Sequence, residues 1–286
     1  MDILAVDIGG TKLAAGVVDE AGWLSWKMSA PTVAGAGAER LWSVLARLVE
    51  SAPAQRAVVC GVGAGGPMRH GGDLLSPLNI PAWRDFPLRS RLAALTGLPT
   101  FVDNDAKALA LGEGWVGAAA GESDYLAMVV STGVGGGIVV DGRLLDGIDG
   151  NAGHIGHVIV VPGGRRCACG AQGCLEAEAS GTSIAAITGR PAHEAGADVI
   201  DRTGRLVGQA VASVANLLAL RLAVVAGSVA LGFGDAFFRA AQAEIDRSAR
   251  LPFSCRAVIR PGALGADGPL IGAAAVGRRG VLASQP

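Results

Sequence analysis

Short apolar runs separated by turn residues characterise the first part of the chain. Residues 3–8 are apolar except for Asp7, residues 13–18 form a second apolar run, and residues 23–26 are rich in tryptophan. Gly9-Gly10 and an Asp-Glu-Ala-Gly sequence at residues 19–22 separate the three segments. Strands joined by glycine-containing turns have this pattern. We therefore predict an antiparallel meander of three strands.

Helical spacing of apolar residues first occurs at residues 39–51, where Leu41, Leu45 and Leu48 lie on one face. The rest of the chain divides in the same way. Predicted helices cover residues 88–95, 106–116, 206–222, 235–247 and 270–276, and predicted strands cover residues 57–62, 100–102, 125–130, 138–140, 223–226 and 257–259, with a glycine turn at residues 131–137. Helices that alternate with strands predict α/β layers.

The order strand, glycine turn, strand occurs once in each half of the sequence, at residues 3–18 and again at residues 125–140. This repetition suggests a duplicated α/β lobe with a cleft between the copies. We expect a smaller N-terminal lobe at residues 1–115, closed by a C-terminal helix at about residues 270–286, and a larger lobe at residues 116–269 that carries a cysteine-rich loop.

Composition narrows the class of protein. The 286 residues carry a formal net charge of -1, and half of them are apolar. A nucleic-acid partner normally requires a basic surplus on one face, so none is expected. No apolar run reaches the ~18 residues that span a bilayer, and the first four residues lack the basic start of a signal peptide. We expect a cytoplasmic protein with no membrane partner.

One histidine and three cysteines follow an H-x9-C-x1-C-x4-C spacing at His157, Cys167, Cys169 and Cys174. Three thiolates and one imidazole are typical ligands of a structural zinc ion. Metal binding would order this glycine-rich loop, which has little rigidity of its own. The alternative is a disulfide between two of these cysteines, which a reducing compartment disfavours. Cys60 and Cys255 have apolar surroundings and are predicted to be buried thiols.

The turn after the first strand offers N–H groups, a hydroxyl, an ammonium and a carboxylate, and its cofactor-site candidates are Asp7, Gly9, Gly10, Thr11 and Lys12. Glycine N–H groups can bind phosphate oxygens, and Asp7 can orient Mg²⁺ through its waters. The second turn has similar chemistry without the charges, with candidates Ser131, Thr132, Gly133, Gly135 and Gly136. Two such turns suit a nucleoside triphosphate, although each can equally be a tight hairpin. Neither has the P-loop spacing.

Asn104 and Asp105 lie at a predicted strand-to-helix junction. One interpretation is a helix N-cap. The other makes Asp105 a general base and Asn104 a hydrogen-bond donor to a substrate hydroxyl. Both can hold together, because a carboxylate at a helix start is favoured in any case.

These motifs together resemble the ROK family (repressors, open reading frames, kinases), the bacterial sugar kinases related to glucokinase. The resemblance covers nearly the whole chain and rests on several segments in the family's order. These are Asp7-Ile8-Gly9-Gly10-Thr11-Lys12, Asn104-Asp105-Ala106, Ser131-Thr132-Gly133-Val134-Gly135-Gly136-Gly137, Gly156-His157, Cys167-Ala168-Cys169-Gly170-Ala171-Gln172-Gly173-Cys174-Leu175-Glu176 and Gly265-Ala266-Asp267-Gly268-Pro269-Leu270-Ile271-Gly272-Ala273-Ala274.

The resemblance implies an actin-like, hexokinase-type fold of two α/β lobes, assembled as a homodimer or homotetramer. It also implies transfer of the γ-phosphoryl group of ATP, bound with Mg²⁺, to the 6-hydroxyl of a hexose such as glucose. By the same resemblance Asp105 is the base and His157 both ligates zinc and contacts the sugar. The implied sugar-binding residues are Gly65, Gly66, Asn79, Asn104, Asp105, His154, His157 and Glu176.

Two departures from the family's pattern concern the substrate and its surroundings. The segment Gly153-His154-Ile155-Gly156-His157 has His154 where the family usually has a glutamate that holds hydroxyls near carbons 1 and 2. A neutral imidazole offers one donor and one acceptor, whereas a carboxylate only accepts. An amino sugar or a sugar-like cyclitol is therefore the alternative substrate. Lys107 replaces an asparagine that is common after Asn-Asp-Ala.

Two competing hypotheses belong to other functional classes. A repressor of this family carries a helix-turn-helix ahead of the kinase-like part, whereas the first strand is predicted to begin at Ile3. A catalytically silent sugar-binding regulator is disfavoured by the presence of Asp105 and both glycine turns. An ATP-dependent sugar kinase is the function that we expect.

Overall fold

The computed structural model describes residues 1–284, which form two compact α/β units. Unit 1 comprises Met1–Gly117, Asp146–Asn151 and the chain from Leu264 onward, and unit 2 comprises Ala118–Leu145 and Ala152–Ala263. The predicted α/β class is confirmed. The strands are β1 (Asp2–Ile8), β2 (Lys12–Val18), β3 (Leu24–Pro31), β4 (Ala57–Ala64), β5 (Thr100–Asn104), β6 (Tyr125–Val130), β7 (Val134–Val140), β8 (Arg143–Leu144), β9 (Leu222–Ala226) and β10 (Val258–Pro261).

The helices are α1 (Ala38–Glu50), α2 (Leu88–Thr96), α3 (Asp105–Val116), α4 (Leu175–Ala179), α5 (Gly181–Thr188), α6 (Ala197–Leu218), α7 (Ser228–Ser248) and α8 (Gly268–Ala283). A short 3-10 helix covers Ile155–His157. Within residues 1–284, none of the helices combines the length and the apolar character needed to cross a bilayer.

Unit 1 is built on a five-stranded sheet with the order β3-β2-β1-β4-β5. The first three strands form the predicted antiparallel meander, and β1, β4 and β5 are parallel. Both faces of β1 are buried: Leu4 belongs to the apolar cluster that includes α1 and α2, and Ile3 packs with α8. Helices on both faces are the usual way to cover parallel strands.

Unit 2 has a five-stranded sheet with the same topology. Its order is β10-β9-β6-β7-β8, in which β6, β7 and β8 are antiparallel neighbours and β6, β9 and β10 are parallel. Strand for strand, β8-β7-β6-β9-β10 corresponds to β3-β2-β1-β4-β5. The core of unit 2 joins Met128 of the sheet to Val207 of α6 and Phe237 of α7. The expected duplication of an α/β lobe is therefore present in the topology.

Two long helices begin earlier than the sequence predicts. α6 begins at Ala197 and not at residue 206, because its first turns carry exposed charged residues such as Asp198 and Asp201 that weaken the apolar pattern. α7 begins at Ser228 and not at residue 235. Gly234 has a φ of 59° inside this helix, so the predicted start at residue 235 coincides with an irregularity in the helix backbone. The short helices α4 and α5 were not predicted at all.

The two cysteines outside the cysteine-rich loop differ in burial. Cys60 is fully buried in β4, as predicted, and burial raises the pKa of its thiol to about 12. The prediction for Cys255 is wrong, because this residue is exposed. It lies in the turn between α7 and β10, where the buried position is taken by Ser254, whose hydroxyl donates to Asn216 Oδ1 at 2.5 Å.

The packing of α8 on β4 requires a glycine at position 61. A side-chain carbon at Gly61 would lie 2.0 Å from the Ala273 carbonyl oxygen and 2.6 Å from the Gly277 nitrogen. Gly61→Ala should therefore lower the free energy of unfolding by ~2 kcal/mol or more, in the upper part of the range for overpacking. Urea denaturation measures this change.

Gly232→Ala is the matched control, because position 232 in α7 has open space around it. Alanine there should leave stability unchanged or raise it by up to ~1 kcal/mol through helix propensity. Equal stability of Gly61→Ala and the parent protein would contradict the close approach of α8 to β4.

Candidate active site and metal centre

The carboxyl ends of three parallel strands meet at one edge of the sheet in unit 1. Ile8 of β1 pairs with Ala64 of β4, and Ala64 pairs with Asn104 of β5. The residues that follow these strand ends are Gly9-Gly10, Gly65-Gly66 and Asp105. Open α/β sheets bind ligands at this edge. The structure thus brings together most of the site residues predicted for the first half of the sequence.

Asn104 and Asp105 form the start of α3. The Ala106 N–H donates to Asn104 Oδ1 at 3.0 Å and to Asp105 Oδ1 at 2.8 Å, so the N-cap interpretation is confirmed. Asp105 is nevertheless exposed. A side-chain carbon on Gly65 would lie 4.0 Å from Asp105 Oδ2, and one on Gly66 would lie 3.7 Å from Asn104 Nδ2. The two glycines therefore present bare backbone beside the amide and the carboxylate.

The β1–β2 turn lies against the loop that carries Asn79. A side-chain carbon on Gly10 would lie only 2.5 Å from Asn79 Cβ, so glycine is required for this approach. The Gly9 N–H donates to the Lys12 carbonyl at 2.9 Å, which uses one of the predicted phosphate donors inside the turn. Thr11 and Lys12 are exposed. The turn thus holds Asn79 in place and directs a hydroxyl and an ammonium to solvent.

Asp7 is the buried carboxylate of this edge, with 9% of its surface exposed. The pKa of Asp7 is raised to about 7, chiefly by burial and in addition by the negative charge of Asp105, while the charge of Lys12 lowers it in part. Two carboxylates and one ammonium therefore influence one another at the strand ends. A cation bound here would favour the ionised form of both acids.

The corresponding turn of unit 2, at residues 131–133, rests on the starts of two helices. Thr182 of α5 donates from its hydroxyl to the Thr132 carbonyl at 2.9 Å, and the Gly181 N–H donates to the Ser131 carbonyl at 2.7 Å. The hydroxyls of Ser131 and Ser228, the first residue of α7, are 2.9 Å apart. Helix N-termini attract phosphate groups. The sequence does not predict Thr182 as a site residue, whereas Ser228 lies directly after a predicted strand and Gly227.

The predicted glycine turn at residues 131–137 is wrong in length. Strand β7 begins at Val134, so Gly135 and Gly136 lie in a strand and not in the turn. A side-chain carbon on Gly136 would lie 3.0 Å from Ile155 Cγ2 and 3.2 Å from the Gly153 carbonyl oxygen. Glycine at position 136 therefore allows Gly153 and Ile155, at the start of the 3-10 helix, to pack closely on β7. Close approach of another backbone is a common reason for glycine in a strand.

Glu176 links the cysteine-rich loop to the glycine turn. It lies in α4, two residues after Cys174, and its Oε2 accepts from the Val134 N–H at 3.0 Å. A side-chain carbon on Gly133 would lie 2.9 Å from the same oxygen. The carboxylate is half-buried against the turn.

The four predicted metal ligands converge in the structure. One ligand atom from each of His157, Cys167, Cys169 and Cys174 lies within 4.8 Å of all the others. The sulfurs of Cys169 and Cys174 are 3.7 Å apart, and Cys167 Sγ is 3.7 Å from His157 Nδ1. Ligands of a tetrahedral zinc ion are separated by ~3.8 Å when the Zn–S distance is ~2.3 Å. The donor set and its spacing fit zinc, and the disulfide alternative is wrong because all three thiols are free.

The two histidines of this segment are neighbours. His154 and His157 are both exposed, with ring centroids 6.0 Å apart and ring planes inclined by 27°. Since Nδ1 of His157 faces the thiols, its Nε2 points away from them. Two backbone hydrogen bonds join the ends of the loop. The N–H groups of Val160 and Val161 donate to the Gly173 carbonyl at 2.9 and 3.1 Å.

Two five-stranded α/β units of identical topology define an actin-like protein of the hexokinase type, as expected. A family model described as the ROK family matches residues 3–279. The chain belongs to the ROK family.

Individual relatives include two different sugar kinases. Glucokinase of Thermotoga maritima is 39% identical over 186 residues, which cover 64% of this chain but only 59% of that protein. N-acetylmannosamine kinase of Shigella flexneri is 40% identical over 255 residues, covering 82% of this chain and 85% of that protein. A ROK family glucokinase from Streptomyces griseus, solved in complex with glucose and AMPPNP, is 30% identical with a TM-score of 0.82 and covers 98% of this chain and 100% of that chain.

The raised pKa of Asp7 predicts how pH affects stability. From the ordinary value of 3.8 up to about 7, folded Asp7 keeps a proton that the unfolded chain has lost. Stability therefore falls as pH rises through this window. Asp7→Asn removes the effect, so the melting temperature of the variant should rise relative to that of the parent between pH 5 and pH 8. Differential scanning calorimetry of the protein without nucleotide, sugar or added magnesium measures the difference.

Asp235→Asn, at an exposed position in α7, is the control for the substitution itself. A melting-temperature difference between Asp7→Asn and the parent that does not vary with pH would show that Asp7 is ionised throughout.

Proposed function

We propose that this protein is an ATP-dependent sugar kinase that transfers the γ-phosphoryl group to a sugar hydroxyl, with Asp105 as the base. The observation that carries the proposal is the position of Asn104 and Asp105 at the edge where three parallel strands end, beside Gly65 and Gly66. The carboxylate is exposed at this edge, and its backbone is fixed by the first turn of α3.

Phosphoryl transfer depends on positioning and charge stabilisation more than on covalent chemistry. Asp105 accepts the proton of the attacking hydroxyl, and the amide of Asn104 orients a neighbouring hydroxyl. Gly65, Gly66 and Asn79 form the adjoining wall of the sugar site in unit 1. Because the hydroxyl loses its proton late in a loose transition state, the base does not need a strongly raised pKa.

We assign the binding of the ATP phosphate groups to two turns, the β1–β2 turn of unit 1 and the turn at residues 131–133 of unit 2. In unit 1, Lys12, Thr11 and the N–H groups of the β1–β2 turn that are not bonded within it would bind phosphate oxygens, and Asp7 would hold waters of a magnesium ion bound with ATP. In unit 2, Ser131, Thr132 and Gly133 bind phosphates next to the starts of α5 and α7; Gly135 and Gly136 lie in β7, where Gly136 allows close packing. Magnesium, which accompanies ATP, supplies positive charge to the phosphate oxygens.

The four-ligand cluster is assigned to a structural zinc ion, held by His157 and the three cysteines. All four positions of a tetrahedron are then filled by protein, as in structural sites. Fixing Nδ1 of His157 determines the direction of its Nε2, which is the atom that we assign to a sugar hydroxyl. Glu176, tied to Val134, provides a second sugar contact from the other end of the same loop.

The acceptor is proposed to be the primary 6-hydroxyl of a hexose such as glucose. A second candidate is an N-acylated hexosamine, which is favoured by His154 beside His157 and by the N-acetylmannosamine kinase relative. The donor N–H of an imidazole can bind an amide carbonyl, which a glutamate cannot do. A homodimer or homotetramer is the proposed assembly.

A coupled assay of ADP release across glucose, other hexoses, N-acetylhexosamines and cyclitols tests the activity. Turnover is expected with at least one hexose or N-acetylhexosamine, and the preferred sugar identifies the substrate class. Asp105→Asn should lower kcat by roughly 10²- to 10⁴-fold, the usual contribution of a general base. Calorimetric titration should show nearly unchanged sugar affinity.

Asp235→Asn should retain the activity of the parent, because residue 235 lies on an exposed face of α7. Near-normal turnover in Asp105→Asn would refute the assignment of the base. Sugar binding without turnover of any sugar would instead indicate a non-catalytic regulator.

Metal analysis tests the zinc assignment. The parent should contain one zinc ion per chain, and Cys169→Ser should lose it because one of four ligands is removed. Loss of zinc should also raise KM for the sugar, since His157 is no longer fixed. Cys255→Ser is the matched control, because Cys255 is exposed like Cys169 but lies outside the cluster. Absence of zinc from the parent, or its retention in Cys169→Ser, would refute the metal site.

A further inference from the structure

Lys107 is a buried cation close to the proposed base in the sequence, and the roles proposed so far do not use it. Its side chain is 3% exposed. The Nζ atom donates to Asp146 Oδ1 at 2.6 Å and to the Gly150 carbonyl at 3.1 Å, and it lies 3.0 Å from Asp103 Oδ1. A buried ammonium is tolerated only when it is paired and hydrogen-bonded in this way.

A second cation completes a closed network. Arg279 of α8 donates from Nη2 to Asp146 Oδ2 at 2.6 Å and from Nη1 to Asp103 Oδ2 at 3.3 Å. Each carboxylate thus contacts both cations. Burial raises the pKa of Asp146, but hydrogen bonds from Arg279 and Lys107 outweigh it and hold the pKa below its usual value. We call Asp103, Lys107, Asp146 and Arg279 the four-charge network.

The four-charge network holds the Asn104–Asp105 turn from both sides. Asp103, the residue before the turn, accepts from the Asn104 N–H through Oδ1 at 2.8 Å as well as from the two cations. Lys107, in the first turn of α3, follows Asp105 by two residues. The network also fastens residues 146–151 of unit 1 to α3 and α8. The backbone of the turn is therefore fixed at one end by the partly buried Asp103 and at the other by the buried Lys107.

We propose that Lys107 is a positioning residue that, through the four-charge network, holds Asp105 in the orientation that accepts the proton of the sugar hydroxyl. This inference rests on the proposed function. Lys107 itself does not contact the substrate, because it is buried and its nitrogen already contacts three oxygens. Small displacements of a catalytic group lower rates by as much as ~10²-fold without abolishing binding.

The test compares kcat and sugar affinity in Lys107→Gln with those of the parent. Glutamine keeps a polar side chain but removes the charge, so kcat should fall by at least ~30-fold for an orientation effect of this kind. The sugar dissociation constant should stay within about threefold, because the sugar contacts remain. Circular dichroism at the assay temperature verifies that each variant is folded.

Glu244→Gln is the matched control for loss of a buried charge. Glu244 is 7% exposed and paired with Arg247, but it lies in α7 of unit 2, outside the proposed site. Its substitution should lower the melting temperature while leaving kcat within about twofold, as expected for a site that only affects stability. A purely structural role of Lys107 would give this same result.

Asp146→Asn is the second variant, in case Lys107→Gln does not fold. Its side chain is 37% exposed, so the loss of stability should be smaller. A double-mutant cycle with Asp105→Asn, measured in single turnovers, provides the decisive readout. If Lys107 acts through Asp105, Lys107→Gln or Asp146→Asn should have little further effect in the Asp105→Asn background.

Multiplicative effects in this cycle, or network variants with kcat near that of the parent, would overturn the inference. Failure of the proposed function has a different signature, namely an inactive parent or an Asp105→Asn variant with near-normal turnover. In those cases the positioning role of Lys107 fails as well.

Discussion

Parallel strands that are neighbours in a sheet must end at the same edge, and the candidate active site of unit 1 depends on this constraint. β1, β4 and β5 end in register, so the residues that follow them become neighbours although they are separated by many positions in the chain. Glycines directly after β1 and β4 keep this edge free of side chains. The exposed carboxylate of Asp105, the buried carboxylate of Asp7 and the ammonium of Lys12 are then the charged groups that influence one another there.

Unit 2 repeats the same topology with different chemistry. The end of β6 leads into the turn of Ser131 and Thr132, which is supported by α5 and α7 and not by charged residues. Its loop of one histidine and three cysteines is short and glycine-rich, so a metal ion would supply the rigidity that its sequence lacks. Glu176 joins this loop to the turn. A single ligand-bearing segment therefore connects the proposed metal centre with the proposed phosphate site.

Local sequence patterns predict correctly those features whose residues are close together in the chain. The meander, the Asn104 cap and the metal-ligand cluster depend on neighbours close in the sequence, and all are present. Gly135 and Gly136 were misassigned to a turn because a glycine run does not reveal whether it bends or allows close packing. The role of Lys107 could not be predicted, since its network includes Asp146 and Arg279, which only the tertiary fold brings to it.

Asp105 is proposed to face the hydroxyl that receives the phosphoryl group. A crystal structure with the preferred sugar and a non-hydrolysable ATP analogue tests it most directly. We expect one sugar hydroxyl oxygen within ~2.6–3.2 Å of the Asp105 carboxylate, which is hydrogen-bond reach for a base. A sugar whose hydroxyls all lie beyond reach of Asp105 would contradict it.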